Sequence, residues 1–337
     1  KVVVLEKSQA DKFQNSLNQL KKQEVFIQFE ASLEMQNFEP WLSFIKSVVI
    51  SPSIPWDHYT LEQLRKRNIS IKSEISLAWE ELKNIPWIGI TGTNGKTTVT
   101  HMLNHVLNSN QINSALGGNI GIPATEIALQ NLEPQMLKLD WLVMELSSYQ
   151  IEASDEITPQ IGIWTTLTPD HLERHGSIEK YARIKKRLLD RSSVRIYNLD
   201  DPFLLNHKSQ LEEGIWVSTQ GPGKAQNKAD FWIDSNGKVF EQGELILDSS
   251  ALKIPGKHNL QNLLLVTAAA REIGVSGKSI EQAIASFKGI SHRLEKVGEI
   301  CGKEIFNDSK ATNFDAATTG LQSIKSPAIV IAGGQSK

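Results

Sequence analysis

A short apolar run, Trp87–Thr91, passes directly into Gly92-Thr93-Asn94-Gly95-Lys96-Thr97-Thr98, and that loop into a segment carrying Met102, Leu103, Val106 and Leu107 on one face. Apolar residues at three- and four-residue spacing predict a helix, and the apolar run before them predicts a buried strand. A strand that turns through glycines into a helix belongs to parallel α/β construction. The glycines let backbone N–H groups approach an anion closely, and the helix N-terminus adds a favourable dipole. Lys96 is placed to reach the β- and γ-phosphates of a nucleotide, and the Thr97 hydroxyl to bind Mg²⁺. The general pattern G-x-x-x-x-G-K-[ST] asks for glycine at position 90, where this chain has Ile, so the loop is a shortened form. A Gly-Lys-Thr triplet arises cheaply by chance. One set between a strand and an amphipathic helix does not.

The rest of the chain alternates in the same manner. Residues 2–5, 25–29, 47–50 and 69–71 read as strands, with a helix over 61–67, and make a first unit ending near residue 85. Further strands are expected at Trp141–Glu145, 161–167 and Val194–Asn198. Between 215 and 255 the strands become shorter and turn-rich, and Asp234-Ser235-Asn236-Gly237 marks a hairpin because Asn-Gly supplies positive φ. A helix over 260–273 is closed by Gly274, residues 303–308 read as a strand opening a new unit, and residues 329–332 are again strand-like. The chain starts inside an apparent strand without an initiator Met and stops just past another, so it reads as a fragment of a longer protein.

Composition removes several functions. With 36 Lys+Arg against 38 Asp+Glu the net charge is −2, which gives no footprint for nucleic acid or an anionic membrane. No run approaches the roughly 18–20 apolar residues of a membrane span. The lone cysteine, Cys301, excludes an intramolecular disulfide and a Cys-based zinc site, fits a reducing compartment, and is read as an inert buried thiol. The eight tryptophans read as packing residues in the absence of a basic surplus. A length of 337 residues suits two domains and part of a third.

Two further clusters can carry chemistry. Glu145 ends the strand Trp141–Glu145 and precedes Leu146-Ser147-Ser148-Tyr149-Gln150. A carboxylate at the C-terminal end of a buried strand is costly unless a cation meets it, so Glu145 is a metal-ligand candidate or else the partner of a lysine. In Thr168-Pro169-Asp170-His171-Leu172-Glu173-Arg174-His175, His171 either ligates a metal or caps the following turn. His101 and His105 stand four apart as zinc pairs do, but without the Glu of H-E-x-x-H they read as surface or packing residues. The run Arg183-Ile184-Lys185-Lys186-Arg187 reads, by itself, as a solvated basic helix face.

Taken in order, these motifs resemble the ATP-dependent Mur ligases of peptidoglycan synthesis, and among them the D-glutamate-adding branch. The shared loop is Gly-Thr-Asn-Gly-Lys-Thr-Thr; Glu-Leu-Ser-Ser-Tyr-Gln at 145–150 and Asn-Asp-Ser-Lys-Ala-Thr-Asn at 307–313 resemble the D-glutamate branch specifically. Gly-Gly-Asn-Ile-Gly at 117–121, Asp-His at 170–171, Gly-Lys-His-Asn-Leu-Gln-Asn at 256–262 and His-Arg-Leu-Glu at 292–295 also match. The resemblance implies an α/β fold with a Rossmann-like N-terminal domain (1–85), a central P-loop-type mononucleotide-binding domain (86–292) and the start of a third, Rossmann-like domain (293–337). It implies ATP bound by Gly92, Thr93, Asn94, Gly95, Lys96, Thr97, Thr98, Asn259, Asn262, Arg293 and Asp308. Two Mg²⁺ sites would draw on Thr97, Glu145, His171 and a carbamate derived from CO₂ on Lys185, although spacing alone leaves Lys186 open. Asn119, Gln150, Lys310 and Thr312 would contact substrate, and Lys96, His171, Lys185 and Arg293 would serve catalysis.

The substrates implied are UDP-N-acetylmuramoyl-L-alanine and D-glutamate, joined by way of an acyl phosphate in a monomeric cytoplasmic enzyme. The resemblance has gaps. A first strand and glycine loop that grip the uridine nucleotide are absent before Lys1, and Ser53 stands where a Ser-Pro-Gly-Ile turn has Gly. Gln335 replaces an Asp of some members, which weakens any role for Lys337. The rivals are a sibling or folylpolyglutamate-type ligase using another amino acid, and an ATP-binding module that ligates nothing. The chain as it stands is expected to be a binding piece of a true ligase.

Overall fold

The structure, a computed structural model, describes residues 1–9, 17, 20–133, 135, 138–224, 227–324 and 327–333. They divide into two units, Lys1–Leu77 and Ala78–Lys337. In the first, β1 (Val3–Leu5) pairs in parallel with β2 (Phe26–Gln28), and β3 (Ser47–Ile50) with β4 (Ser70–Ser73). The helix α1 (Tyr59–Lys66) joins β3 to β4 and buries Leu61 and Leu64 against Phe38, Ile50 and Ile69. It starts where His58 Nδ1 accepts the Thr60 N–H at 3.2 Å. The division between units falls within α2 (Glu74–Leu82).

The second unit opens with β5 (Trp87–Thr91), α3 (Lys96–Ser109), β6 (Ser114–Gly118), α4 (Ala124–Asn131), β7 (Trp141–Glu145), α5 (Ser148–Glu152) and β8 (Ile161–Trp164). It continues through α6 (Leu172–His175), α7 (Ile178–Asp190), β9 (Val194–Asn198), α8 (Pro202–Asn206), β10 (Ile215–Ser218), β11 (Phe231–Ile233), β12 (Lys238–Glu241) and β13 (Glu244–Asp248). Last come α9 (Lys257–Glu272), α10 (Gly277–Ser286), the hairpin β14 (Glu295–Ile300) and β15 (Lys303–Asn307), and α11 (Phe314–Gln322). A nine-stranded sheet runs in the order β13-β12-β11-β10-β9-β8-β5-β7-β6. It is parallel from β6 to β11 and antiparallel across β12. Strand order reverses at β5, with β7 and β6 on one side and β8 on the other, and ligands of open α/β sheets bind beyond the strand ends at such a point.

Helices cover both faces because the central strands are buried on both sides. β5 and β8 are buried at every residue. On one face α3 buries Met102, Leu103, Val106 and Leu107 completely, each contributing roughly 1.5–3 kcal/mol of burial. It packs on α9, whose run from Leu263 to Val266 is fully buried between sheet and neighbouring helices. Gly274 ends that segment at φ 95°, with its N–H donating to Arg271 O. On the other face α7 lies against β8 and β5, and buries Tyr181, Ile184, Lys185, Leu188 and Leu189.

Three expectations need correction. β8 ends at Trp164, short of residue 167; beyond it Thr165 and Thr166 follow the phosphate loop, bonding to it through both backbone and side chains. Cys301 is exposed: with φ 50° it forms the tip of the β14–β15 hairpin beside Gly302 at φ 73°, the pair of positive angles that a two-residue turn requires. Residues 329–332 form no strand, since no ladder partner accompanies them among the described residues, and Ile329 and Ile331 stand exposed. Lys337 lies outside the described residues.

Candidate nucleotide and metal site

The loop after β5 is held open by two glycines and a hydroxyl clamp. Gly92 takes φ 146°, and a Cβ there would lie 2.0 Å from Thr165 Oγ1. Gly95 takes φ 85°, and its Cβ would meet Asn262 Oδ1 at 2.7 Å. Thr165 Oγ1 donates to Asn94 O at 2.5 Å, Thr166 Oγ1 accepts from Asn94 N–H at 3.0 Å, and Thr93 N–H donates to Thr166 O at 2.8 Å. Thr93 Oγ1 donates to Thr168 O and accepts the Thr168 N–H, both at 3.1 Å. The loop is thus fixed before any ligand arrives, which removes an ordering cost from binding.

Around the loop, charge is concentrated and buried. Glu145, at the end of β7, is 2% exposed. Its Oε1 accepts from Asn119 Nδ2 at 3.0 Å, while Oε2 has no hydrogen-bond partner. Lys96 Nζ donates to Gly92 O (2.9 Å) and Thr93 O (2.8 Å), not to the carboxylate. Burial lowers the Lys96 amine from its usual range, and Glu145 opposes that shift. Lys185 Nζ, from α7 below the loop, donates to Gly92 O at 2.9 Å and Thr91 Oγ1 at 3.3 Å. Burial drives its pKa well below the ordinary value, and the Lys96 charge lowers it further. Lys186 is at the surface side of α7, paired with Asp190 at 2.6 Å. Of the two lysines only Lys185 reaches the loop.

A cleft of about 220 Å³ opens above these groups, lined by the loop, Asn119, Glu145, Asp170, His171, Arg293, Lys310, Thr312 and Asn313. His171 takes φ 53° at the start of α6, and its ring makes no capping bond. Its side chain is left facing the cleft. Arg293 Nη2 donates to Thr97 Oγ1 at 3.0 Å, and its buried Nε has no partner. Next to it lies a larger hollow of about 900 Å³ lined by Asn94, Gly95, Thr98, Asn259, Asn262, Arg293 and Asp308 among others. Asn262 Nδ2 donates to Asn259 Oδ1 at 3.1 Å, so the two amides form one unit. Burial raises the Asp308 carboxyl, and the Leu294 N–H and Arg293 oppose it.

Every anticipated site residue but one therefore borders these two hollows or the loop. The exception is Gln150, which is buried and closes a capping box on α5: its Oε1 accepts the Ser147 N–H and hydroxyl, each at 3.0 Å. His105 Nε2 contacts Ala283 O (3.0 Å) and Ser286 Oγ (2.9 Å), packing α3 on α10. Sequence reasoning missed the Thr165–Thr166 clamp and Asn313, whose Nδ2 donates to Asn94 Oδ1 at 3.2 Å. The clamp left one signal, the run Thr165-Thr166-Leu167-Thr168 directly after an apolar strand. The position of Lys185 was readable too, since it stands four residues after Tyr181 and three before Leu188 on the buried stripe of α7.

Among the described residues no three His, Cys, Asp or Glu side chains form a ready metal cage. Mg²⁺ keeps several waters and binds through one or two carboxylates together with substrate phosphates. The unpartnered Glu145 Oε2 and the Thr97 hydroxyl fit such an ion.

Fold and site together define a phosphate-loop protein of the parallel α/β class that binds a mononucleotide. Residues 90–270 match the Mur ligase middle domain. The chain is 57% identical over its whole length to a UDP-N-acetylmuramoylalanine–D-glutamate ligase of Prochlorococcus marinus strain SARG, covering 72% of that protein. It is 53% identical to the protein of the same name from strain MIT 9313, covering 73% of it. Among solved structures it resembles a UDP-N-acetylmuramate–alanine ligase from Thermotoga maritima (TM-score 0.57, 19% identity, 96% of this chain and 77% of that one). A second is a UDP-N-acetylmuramate:L-alanyl-γ-D-glutamyl-meso-diaminopimelate ligase from Neisseria meningitides (TM-score 0.58, 17% identity, 86% and 91%). The chain belongs to the Mur ligase family.

Proposed function

We propose that this chain carries the ATP-binding and substrate-activating parts of a ligase that joins D-glutamate to UDP-N-acetylmuramoyl-L-alanine in peptidoglycan precursor synthesis. The observation that carries the reading is the pairing of a preformed phosphate loop with a buried, half-unpaired carboxylate at the switch point of the sheet. The 57% identity over the whole chain supports D-glutamate as the amino acid. The same reading divides the second unit into an ATP-binding domain over 86–292 and the start of another domain from residue 293, and has the protein act as a cytoplasmic monomer.

In the reaction, a carboxylate oxygen of the muramoyl-alanine attacks the γ-phosphorus of ATP, the bond to the bridging oxygen breaks, and ADP leaves. The amine of D-glutamate then attacks the carbonyl carbon and loses a proton. The C–O bond to phosphate breaks, and the amide forms. Phosphoryl transfer is mainly positioning and charge neutralisation. The loop N–H groups, Lys96 and Arg293 are the donors for that task, with Asn259, Asn262 and Asp308 on the nucleoside side and Asn119, Lys310 and Thr312 on the substrate side. Glu145, Thr97 and His171 would hold Mg²⁺, which would neutralise negative charge in the phosphoryl-transfer step. Lys185 is suited to carry a carbamate, because burial favours the neutral amine, the form that attacks CO₂ to make an N–C bond with release of one proton. The modified side chain would be anionic and able to join the metal ligands.

The test is phosphate release by the full-length protein with ATP, Mg²⁺ and UDP-N-acetylmuramoyl-L-alanine, comparing D-glutamate with L-glutamate, L-lysine and diaminopimelate. Turnover with D-glutamate alone is expected. Turnover with another amine would reassign the substrate and keep the ligase chemistry, whereas amine-independent ATP hydrolysis would leave only an ATP-binding module.

A further inference from the structure

One buried histidine has no part in that chemistry. His175 closes α6, is 2% exposed, and is not among the residues lining either hollow. Its Nε2 lies 2.9 Å from Ser148 Oγ, just after the β7 carboxylate, and its Nδ1 has no hydrogen-bond partner. A buried ring that leaves a polar atom unsatisfied costs stability, so it needs a reason. Burial lowers its pKa to about 4, which keeps the ring neutral around pH 7.

The reason lies in what the ring touches. His175 stacks on Tyr181 with centroids 5.2 Å apart and planes at 26°. Tyr181 is itself 2% exposed, and its hydroxyl lies 3.4 Å from Thr93 Oγ1 in the phosphate loop. Because Thr93 Oγ1 already donates to Thr168 O, the tyrosine is the donor in that contact. Lys185 Nζ sits 4.5 Å from the centroid of the same Tyr181 ring, as expected for residues four apart on one helix face. A continuous row thus runs from Ser148 through His175 and Tyr181 to Lys185.

We propose that His175 is a positioning residue for Lys185, holding the Tyr181 ring as the wall that aims the lysine at the loop carbonyl of Gly92. A flat ring is needed, because an aliphatic side chain of similar size does not reproduce a stacked contact at 26° and lets the tyrosine tilt. His175 touches no reacting atom; its path to Lys185 runs through Tyr181, while its ring also lies 5.4 Å from that of Tyr149, which is 5.3 Å from the His171 ring. The proposal rests on the reading of Lys185 as a carbamate-bearing residue, and its test separates the two.

Two variants of the full-length protein are compared with wild type: His175→Leu, which fills the space without a ring, and His175→Phe, which restores the ring. Both lose the Ser148 bond, so their difference reports the ring contacts with Tyr181 and Tyr149, and the carbamate signal on Lys185 separates the Tyr181 path from the one through Tyr149 to His171. Three readouts are needed: the thermal midpoint, kcat and KM for ATP, and the ¹³C carbamate signal after equilibration with ¹³C-bicarbonate, with Lys185→Ala as the blank. The expected result is a fall in kcat of about tenfold or more in His175→Leu with KM for ATP held within about twofold, and recovery of most of the kcat in His175→Phe. The carbamate signal should follow kcat. Equal kcat in the two variants, or a loss of kcat matched by a rise in KM, overturns the proposal and leaves His175 a packing residue. If wild type gives no carbamate signal, the carbamate reading fails, and the kcat split with its recovery by Phe still decides the positioning role.

Discussion

Replacing Lys185 by Met is expected to cut amine-dependent turnover by about 10³-fold while raising the thermal midpoint at neutral pH, the several kcal/mol of transition-state charge stabilisation at a metal site setting the size of the loss. The two effects have one origin. Lys185 is 1% exposed, and burial has moved its amine well below the ordinary 10.5. The unfolded chain therefore binds the proton more readily than the folded one. Stability rises with pH from the folded pKa up to 10.5, and below the folded value the full cost of burying the cation is present. Methionine carries no such cost, so its advantage is largest on the acid side and fades as pH approaches the range of a free lysine. The check is a pair of unfolding curves across pH in CO₂-free buffer, together with kcat. A variant that is less stable at every pH, or that keeps its activity, contradicts the role assigned to Lys185.

The second large effect is at Glu145. Glu145→Gln keeps the shape and the oxygen that accepts from Asn119 Nδ2, and removes only the charge of a side chain whose Oε2 is unpartnered. If that oxygen meets a cation during the reaction, kcat falls by about 10²–10³, comparable with the loss of one preorganised electrostatic contact, and the Mg²⁺ concentration giving half-maximal rate rises. Nucleotide affinity without Mg²⁺ should stay close to wild type, because the loop and its Thr165–Thr166 clamp are untouched. Titration of ADP with and without Mg²⁺ separates the cases. An unchanged Mg²⁺ dependence would make Glu145 a structural acceptor for Asn119 and nothing more.

Much of this site was legible because its parts are local. The glycine loop, the carboxylate ending β7 and the Asp170-His171 pair each sit within a few residues of a strand end, where chain direction alone fixes what they face. The clamp was not legible for the opposite reason: Thr165 and Thr166 hold Asn94 across more than 70 positions, and no local pattern records which strands will be neighbours. Lys185 stands between. Its charge argued for solvent, its spacing from Tyr181 and Leu188 argued for the core, and the packing of α7 on β5 and β8 followed the spacing. Cys301 went the other way, since an apolar-type residue between Ile300 and Gly302 reads as buried until the two are seen as a hairpin tip. Gln150 shows how a residue type suited to binding can also serve locally, its Oε1 occupied by the cap of α5.

The central claim is that a carboxylate is activated by phosphoryl transfer at the β5 loop and then captured by an amine. It is tested most directly by following an oxygen atom. UDP-N-acetylmuramoyl-L-alanine labelled with ¹⁸O in its carboxylate is turned over by the full-length protein with ATP, Mg²⁺ and D-glutamate, and the released phosphate is analysed by mass. An acyl phosphate requires one labelled oxygen to leave with the phosphate in each amide-forming turnover, and that transfer is the predicted result. Amide formed with unlabelled phosphate would mean that water, not the substrate carboxylate, received the phosphoryl group, and carboxylate activation at the β5 loop would be contradicted.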